Sequence, residues 1–218
     1  MPALLEDTVE GLKNQLHRLT PYFNSFQIDI ADGVFVPNMT VQLQALQPLL
    51  TEFPDSTIDF HLMVKDWEKA CEVIERIEGP TIRYVLIHSL VDPPADIFTQ
   101  IRSDFQLGLV INPEEELEAI GMKYNLKSLS AIQIMTVVPG KQGQPFIEKS
   151  LNKIEQLRDM NYKSNIFIDG AVNSNTLPLI LSRPYQPDFA GIGSFLTKSL
   201  DLEKTIETLD SMEEVTRV

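Results

Sequence analysis

Ile28-Asp29-Ile30-Ala31-Asp32-Gly33-Val34-Phe35-Val36-Pro37-Asn38 runs from an apolar, β-branched segment into two carboxylates, a glycine turn and a proline. Parallel α/β proteins place their chemistry where a strand ends and the chain breaks. Two later stretches end in the same manner. Ile58-Asp59-Phe60-His61-Leu62-Met63-Val64 carries a histidine, and Ile166-Phe167-Ile168-Asp169-Gly170-Ala171 an aspartate and a glycine. One acid at a strand end is unremarkable, but Asp29, His61 and Asp169 at three of them form a candidate site.

Outward from that stretch, strand and helix patterns alternate along the whole chain. Strands are predicted at 3–5, 25–30, 58–63, 82–87, 107–111, 131–137, 166–168 and 189–192. Helices are predicted near 8–19, 41–50, 67–77, 93–101, 114–120, 146–160, 173–181 and 202–212, with Asp66 and Asn173 as N-caps. The Glu114-Glu115-Glu116 run reads as a solvated helix start that complements the dipole. Alternating β and α units imply a parallel sheet with right-handed crossovers. Eight units in 218 residues fit one α/β domain over 1–218, a closed (β/α)8 TIM barrel. An open doubly wound sheet would show a Gly-rich dinucleotide loop after its first strand, and none is there. In a barrel the strand ends converge on one mouth, which gathers Asp29, His61, Met63, His88, Asn112, Met135, Asp169 and Gly193.

Composition narrows the functions. A formal net charge of −13 argues against nucleic-acid binding, which needs Lys and Arg on phosphates. It leaves small anions open, because backbone amides at helix N-termini bind phosphate whatever the overall charge. No apolar stretch approaches a membrane span and the first residues do not read as a signal peptide. The single cysteine, Cys71, lies in an amphipathic helical pattern, reads as a packing residue and fits a reducing cytoplasm. The last two strands end in Asp169-Gly170-Ala171 and Gly191-Ile192-Gly193-Ser194, where such barrels often hold phosphate. After strand six, Val138-Pro139-Gly140-Lys141-Gln142-Gly143-Gln144-Pro145-Phe146 has the make-up of a loop that closes over a ligand, and Lys141 could reach a phosphate.

Asp29–Asn38, Phe60–Val64, Met135–Phe146, Ile168–Val172 and Gly191–Ser194 together resemble the ribulose-phosphate 3-epimerase family, in its order and spacing. The resemblance covers nearly the whole chain from Pro2 to about Leu196. It implies a barrel enzyme of the cytoplasmic pentose phosphate pathway that inverts C3 of a ketopentose 5-phosphate, converting ribulose 5-phosphate to xylulose 5-phosphate. Asp29 and Asp169 would then be the acid/base pair, and a phosphorylated ketose the partner. Asp29, His61 and Asp169 would hold a divalent metal, commonly zinc but also iron, manganese or cobalt. Met63 and Met135 would cap the reacting carbons, while Gly140, Gly143, Gly170, Gly193 and Ser194 would meet the phosphate and the loop. A homo-oligomer is also implied.

The pattern is not matched everywhere. The family's first histidine ligand falls at Gln27, whose oxygen can coordinate a hard cation but replaces imidazole poorly on zinc. Its first-strand serine falls at Ala3, a methionine at Ala31, and the second glycine of Asp-Gly-Gly at Ala171. Lys141-Gln142 stands where the family has Phe and a small residue. Three other readings follow: an epimerase for a hexulose 6-phosphate, a divergent paralogue that binds a sugar phosphate without turning it over, and a non-enzymatic scaffold.

Overall fold

Eight parallel strands pair in sequence order, β1 to β8, each with the next. They are Ala3–Leu4, Ser25–Ala31, Thr57–Met63, Thr81–His88, Gln106–Ile111, Ala131–Met135, Asn165–Asp169 and Phe189–Gly191. The ring closes through backbone hydrogen bonds from Ala3 N to Ile192 O (3.1 Å) and from Ile192 N to Met1 O (2.9 Å). This is the expected (β/α)8 barrel. The computed structural model describes residues 1–100, 104–140 and 143–216. Among these, no helix is long and apolar enough to cross a membrane.

Strand parity explains the layers. On β2 the outward Phe26, Ile28 and Ile30 join the main core beneath the helices, with Ile58, Phe60 and Leu62 of β3 beside them. The alternate residues point inward, so Gln27 and Asp29 share the barrel interior with Asp59 and His61. Lower in the interior lies a separate cluster of Tyr84, Leu86, Val110, Ala131 and Phe167. Below it, a register shift between Ile58 and Asp59 leaves Arg83 as an extra residue in β4. Arg83 uses that freedom to reach Asp59, with Nε 3.0 Å from Oδ1, and to cover the Phe189 ring at 4.3 Å. This ion pair, unforeseen from the strand pattern, plugs the end of the barrel away from the mouth.

The helical layer departs more from expectation than the sheet does. Helix α1 (Val9–Leu19) is capped by Thr8, and α3 (Trp67–Ile74) by Asp66, as predicted. The predicted 41–50 helix is a 3₁₀ turn, Leu43–Ala45, followed by the short α2 (Gln47–Leu50). The 93–101 helix is a 3₁₀ segment, Ala95–Thr99, and its predicted end at Ile101 lies outside the described residues. Helix α4 (Leu117–Lys123) begins after the acidic run instead of within it. The 146–160 helix is a 3₁₀ turn, Glu148–Leu151, running into α5 (Asn152–Asp159). Asn173 caps a turn, through Oδ1 to the N–H groups of Asn175 and Thr176, and α6 (Leu177–Leu181) follows. A short helix that was not predicted, α7 (Ser194–Thr197), opens directly after β8, and α8 (Leu202–Thr216) ends the described chain. Cys71 is a buried packing residue, as read from the sequence, and Trp67 beside it on α3 is buried too.

Candidate active site

The mouth of the barrel holds a cleft of about 270 Å³, near the lower end of the range for small-metabolite pockets. Asp29, from the end of β2, and Asp169, from the end of β7, line it together with His61 of β3. Between β2 and β7 the ring passes through β1 and β8, and these strands carry Ala3 and Gly191. A Cβ on Gly191 would stand 3.2 Å from Asp169 Oδ1 and 3.5 Å from Ala3 Cβ. Small residues on the two intervening strands thus keep the space between the carboxylates open.

The carboxylates converge on two shared nitrogens. His61 Nδ1 lies 3.1 Å from Asp29 Oδ1 and 3.2 Å from Asp169 Oδ2. Gln27 Nε2 donates to the same two oxygens, at 2.9 and 3.0 Å. Gln133 adds a longer contact, its Nε2 3.5 Å from Asp169 Oδ2. Gln27 and Gln133 are fully buried, so the acids, themselves mostly buried, border the cleft on one side and meet fixed donors on the other.

Electrostatics follow from that packing. Burial and the neighbouring Asp169 push the Asp29 carboxyl above its usual range. Burial opposes the His61 imidazolium, but the hydrogen bonds and charges of Asp169 and Asp29 outweigh it and raise the group from 6.5 to about 9. Burial and the charge on His61 drive His88, 2.9 Å away between Nε2 atoms, well below the ordinary value. In the metal-free protein Asp29 and His61 therefore hold protons in the folded state that the unfolded chain releases, so their contributions to stability fall as pH rises, whereas the depressed His88 acts in the opposite sense and only up to about pH 6.5. The His61 contribution is complete below about 6.5 and lost as pH passes through about 9. Chelator-treated protein should show a falling thermal midpoint across that window, and His61→Gln should flatten it; equal slopes in the two proteins would remove His61 as the cause.

Every residue assigned to substrate from the resemblance borders the same cleft: Met63, Met135, Gly140, Gly143, Gly170, Gly193 and Ser194. Lys141 lies outside the described residues. Two glycines are required where they stand. Gly170 has φ +121°, and a Cβ there would meet Val137 Cγ2 at 2.5 Å; Gly140 has φ +105°, and its Cβ would meet Val36 at 2.7 Å. Ala171, next in line, also adopts a left-handed φ of +54°, which costs an L-residue energy that a glycine would not incur. Gln144 and Asn173 were not singled out as pocket residues and also line the cleft, as does Ala3, at the position of the family's first-strand serine. His17 sits away from it, exposed and paired with Glu52 at 3.6 Å.

The Ribulose-phosphate 3 epimerase family profile matches residues 1–190. The chain belongs to the ribulose-phosphate 3-epimerase family. Family members bearing that name are isomerases. The chain is 34% identical over 162 residues to the ribulose-phosphate 3-epimerase of Methanocaldococcus jannaschii, covering 71% of this chain and 65% of that protein, just under two thirds of its length. It is 27% identical to the Helicobacter pylori protein of the same name over 98% of this chain and 97% of that one. Among solved structures, KGPDC from Streptococcus mutans superposes with a TM-score of 0.66 at 12% identity, covering 98% of this chain and 96% of that one. The 3-hexulose-6-phosphate synthase of Salmonella typhimurium gives 0.67 at 12%, covering 98% and 97%. At such identities these two report the shared fold alone.

The epimerase family depends on a divalent metal, and the residues here suit one. Asp29, His61 and Asp169 offer two carboxylate oxygens and an imidazole nitrogen, all within 4.8 Å of one another. The fourth neighbour, Gln27, keeps its Oε1 buried without a partner, and a half-turn of the amide would bring that oxygen to the cluster. An oxygen-rich set with one imidazole is compatible with any of the divalent cations expected from the sequence.

Proposed function

We propose that this epimerase-family chain inverts C3 of ribulose 5-phosphate to give xylulose 5-phosphate, with Asp29 and Asp169 as its acid/base pair. One observation carries the reading: two strand-end carboxylates converge over open space, oriented by shared donors (His61 Nδ1 and Gln27 Nε2). Inversion needs a proton taken from one face of C3 and returned to the other. Asp29 removes the proton on its flank while Asp169, protonated, delivers one from the opposite flank. In the reverse direction the two exchange roles. Asp29 is suited to holding a proton between these events, since burial and its neighbour favour its neutral form.

A divalent metal held by Asp29, His61 and Asp169 would supply Lewis-acid stabilisation of the negative charge that builds beside C3. Met63 and Met135 present polarizable sulfur to the substrate carbons. Gly170, Gly193 and Ser194 supply backbone N–H groups for the phosphate, in the position after strands seven and eight that such barrels use. Gly140 and Gly143 belong to the loop that covers the sugar. The buried Cys71 thiol and the enzyme's small phosphorylated substrate accord with work in the cytoplasm.

The test is incubation of the enzyme with ribulose 5-phosphate in D₂O with zinc, manganese, iron(II) or cobalt in turn. Xylulose 5-phosphate carrying deuterium at C3 is the expected product. No interconversion with any of the metals would dismiss the reading. The Gln27 amide bound to both acids favours a second reading, binding of a sugar phosphate without turnover. That reading predicts a ligand-dependent rise in melting temperature and no product.

A further inference from the structure

A line of buried polar groups leads away from the cleft behind His61. His61 Nε2 lies 2.9 Å from His88 Nε2, and both rings are fully buried. Asn112, also fully buried, follows β5 directly, two residues beyond Val110, the β5 residue paired with His88. Its backbone N–H and its Nδ2 both donate to Glu115 Oε2 at 2.8 Å. Ser89 Oγ donates to the other oxygen, Glu115 Oε1, at 2.6 Å. Glu115 is thus no solvated helix start, as the acidic run suggested, but the anchor of this line.

Two atoms in it are buried without hydrogen-bond geometry to any partner: His88 Nδ1 and Asn112 Oδ1. The hydrogens can be assigned by elimination. Asn112 cannot reverse its amide, because Nδ2 is committed to a carboxylate. Only one hydrogen fits between the two Nε2 atoms. If His88 owned it, His88 Nδ1 would be a bare acceptor facing a second acceptor, Asn112 Oδ1, and both would stay buried and unsatisfied, with the water each gave up on burial not replaced. If His61 owns it, His88 carries its hydrogen on Nδ1, and the two orphan atoms become donor and acceptor.

We infer that Glu115, Asn112 and His88 form a positioning relay that makes His61 Nε2 a hydrogen donor and so presents His61 Nδ1 to the two aspartates as the ligating nitrogen. The inference rests on the proposed metal-assisted reading of that site. Polar partners behind a ligating imidazole fix its tautomer and orientation and raise its basicity. Here two side chains and a second imidazole separate the ligand from the carboxylate that sets the direction. His88, Asn112 and Glu115 do not line the cleft, so they act through His61 and not on substrate.

The chain has three histidines, which makes ¹⁵N spectra of the imidazoles tractable. In the zinc-loaded full-length protein the expected pattern is His61 protonated at Nε2 and His88 protonated at Nδ1. His88 protonated at Nε2 would overturn the relay. Glu115→Gln and Asn112→Leu should each weaken Co²⁺ binding, measured by chelator competition, by about 10–100-fold. Glu115→Asp should recover part of that loss, a rescue that a merely structural role would not show. Wild-type Co²⁺ affinity in Glu115→Gln would also overturn the relay. Should the wild-type protein take up no Co²⁺ or zinc, the metal-assisted reading fails. The spectrum of the metal-free protein at neutral pH then decides the relay separately, with Nδ1-protonated His88 supporting it and Nε2-protonated His88 ending it.

Discussion

Asp169→Asn is expected to lower the rate of C3 inversion by about 10³-fold or more, within the range of general acid–base contributions plus a weakened metal site. Asparagine keeps the shape of the side chain and can still accept from Gln27 and His61, but it neither takes nor delivers the proton. Proton exchange should survive the substitution on one side. The epimer whose C3 hydrogen faces Asp29 should still exchange with D₂O without inverting, while the other epimer should not. Asp29→Asn should show the converse, with exchange confined to the opposite epimer. This pair of patterns follows from two acids working from two flanks, and it is read by NMR of the recovered sugar phosphates. Inversion at near wild-type speed in either variant, or exchange of both epimers in one of them, would mean that a single group serves both faces.

The acids were legible in the sequence because a strand end is a local signal. Asp29, His61 and Asp169 each close an apolar run, and in a parallel barrel such ends must share a mouth. All eight strands were legible for a related reason: strands buried on both sides read as near-continuous apolar runs, as in Ile82–Ile87 and Ile166–Ile168. The helical layer was less so. Pro48 and Pro178 stand near the starts of short helices, and segments such as Ala95–Thr99 settle into 3₁₀ turns that periodicity does not separate from α-helix. The mouth could gather His88 and Asn112 from their strand-end positions, but the pairings they make there were not visible. Glu115 looks like an ordinary first-turn acid until β4 and β5 bring Ser89 and Asn112 to it. The Asp59–Arg83 pair depends on a register shift that no alternation pattern announces.

Gln27→His carries the second large expectation, a rise in zinc affinity of about 100-fold or more. In the wild-type protein the Gln27 amide hydrogens hold Asp29 at 2.9 Å and Asp169 at 3.0 Å, while the amide oxygen is left without a partner. For that oxygen to ligate, the amide must turn over and both charge-assisted hydrogen bonds must break, at about 1.5–3 kcal/mol each. An imidazole at position 27 avoids that penalty, because one ring nitrogen carries a lone pair for the cation. It also supplies a nitrogen donor, which zinc prefers to a neutral amide oxygen. The gain should be small for Mg²⁺, which prefers oxygen ligands, so the ratio of zinc to magnesium affinity should shift as well. The metal-free variant should melt lower than the wild type, since the paired carboxylates lose a shared donor. Isothermal titration with zinc and magnesium, alongside melting curves with and without chelator, reads all three effects. Equal zinc affinities in the two proteins would show that Gln27 stands outside the ligand set, and that the metal draws on Asp29, His61 and Asp169 alone.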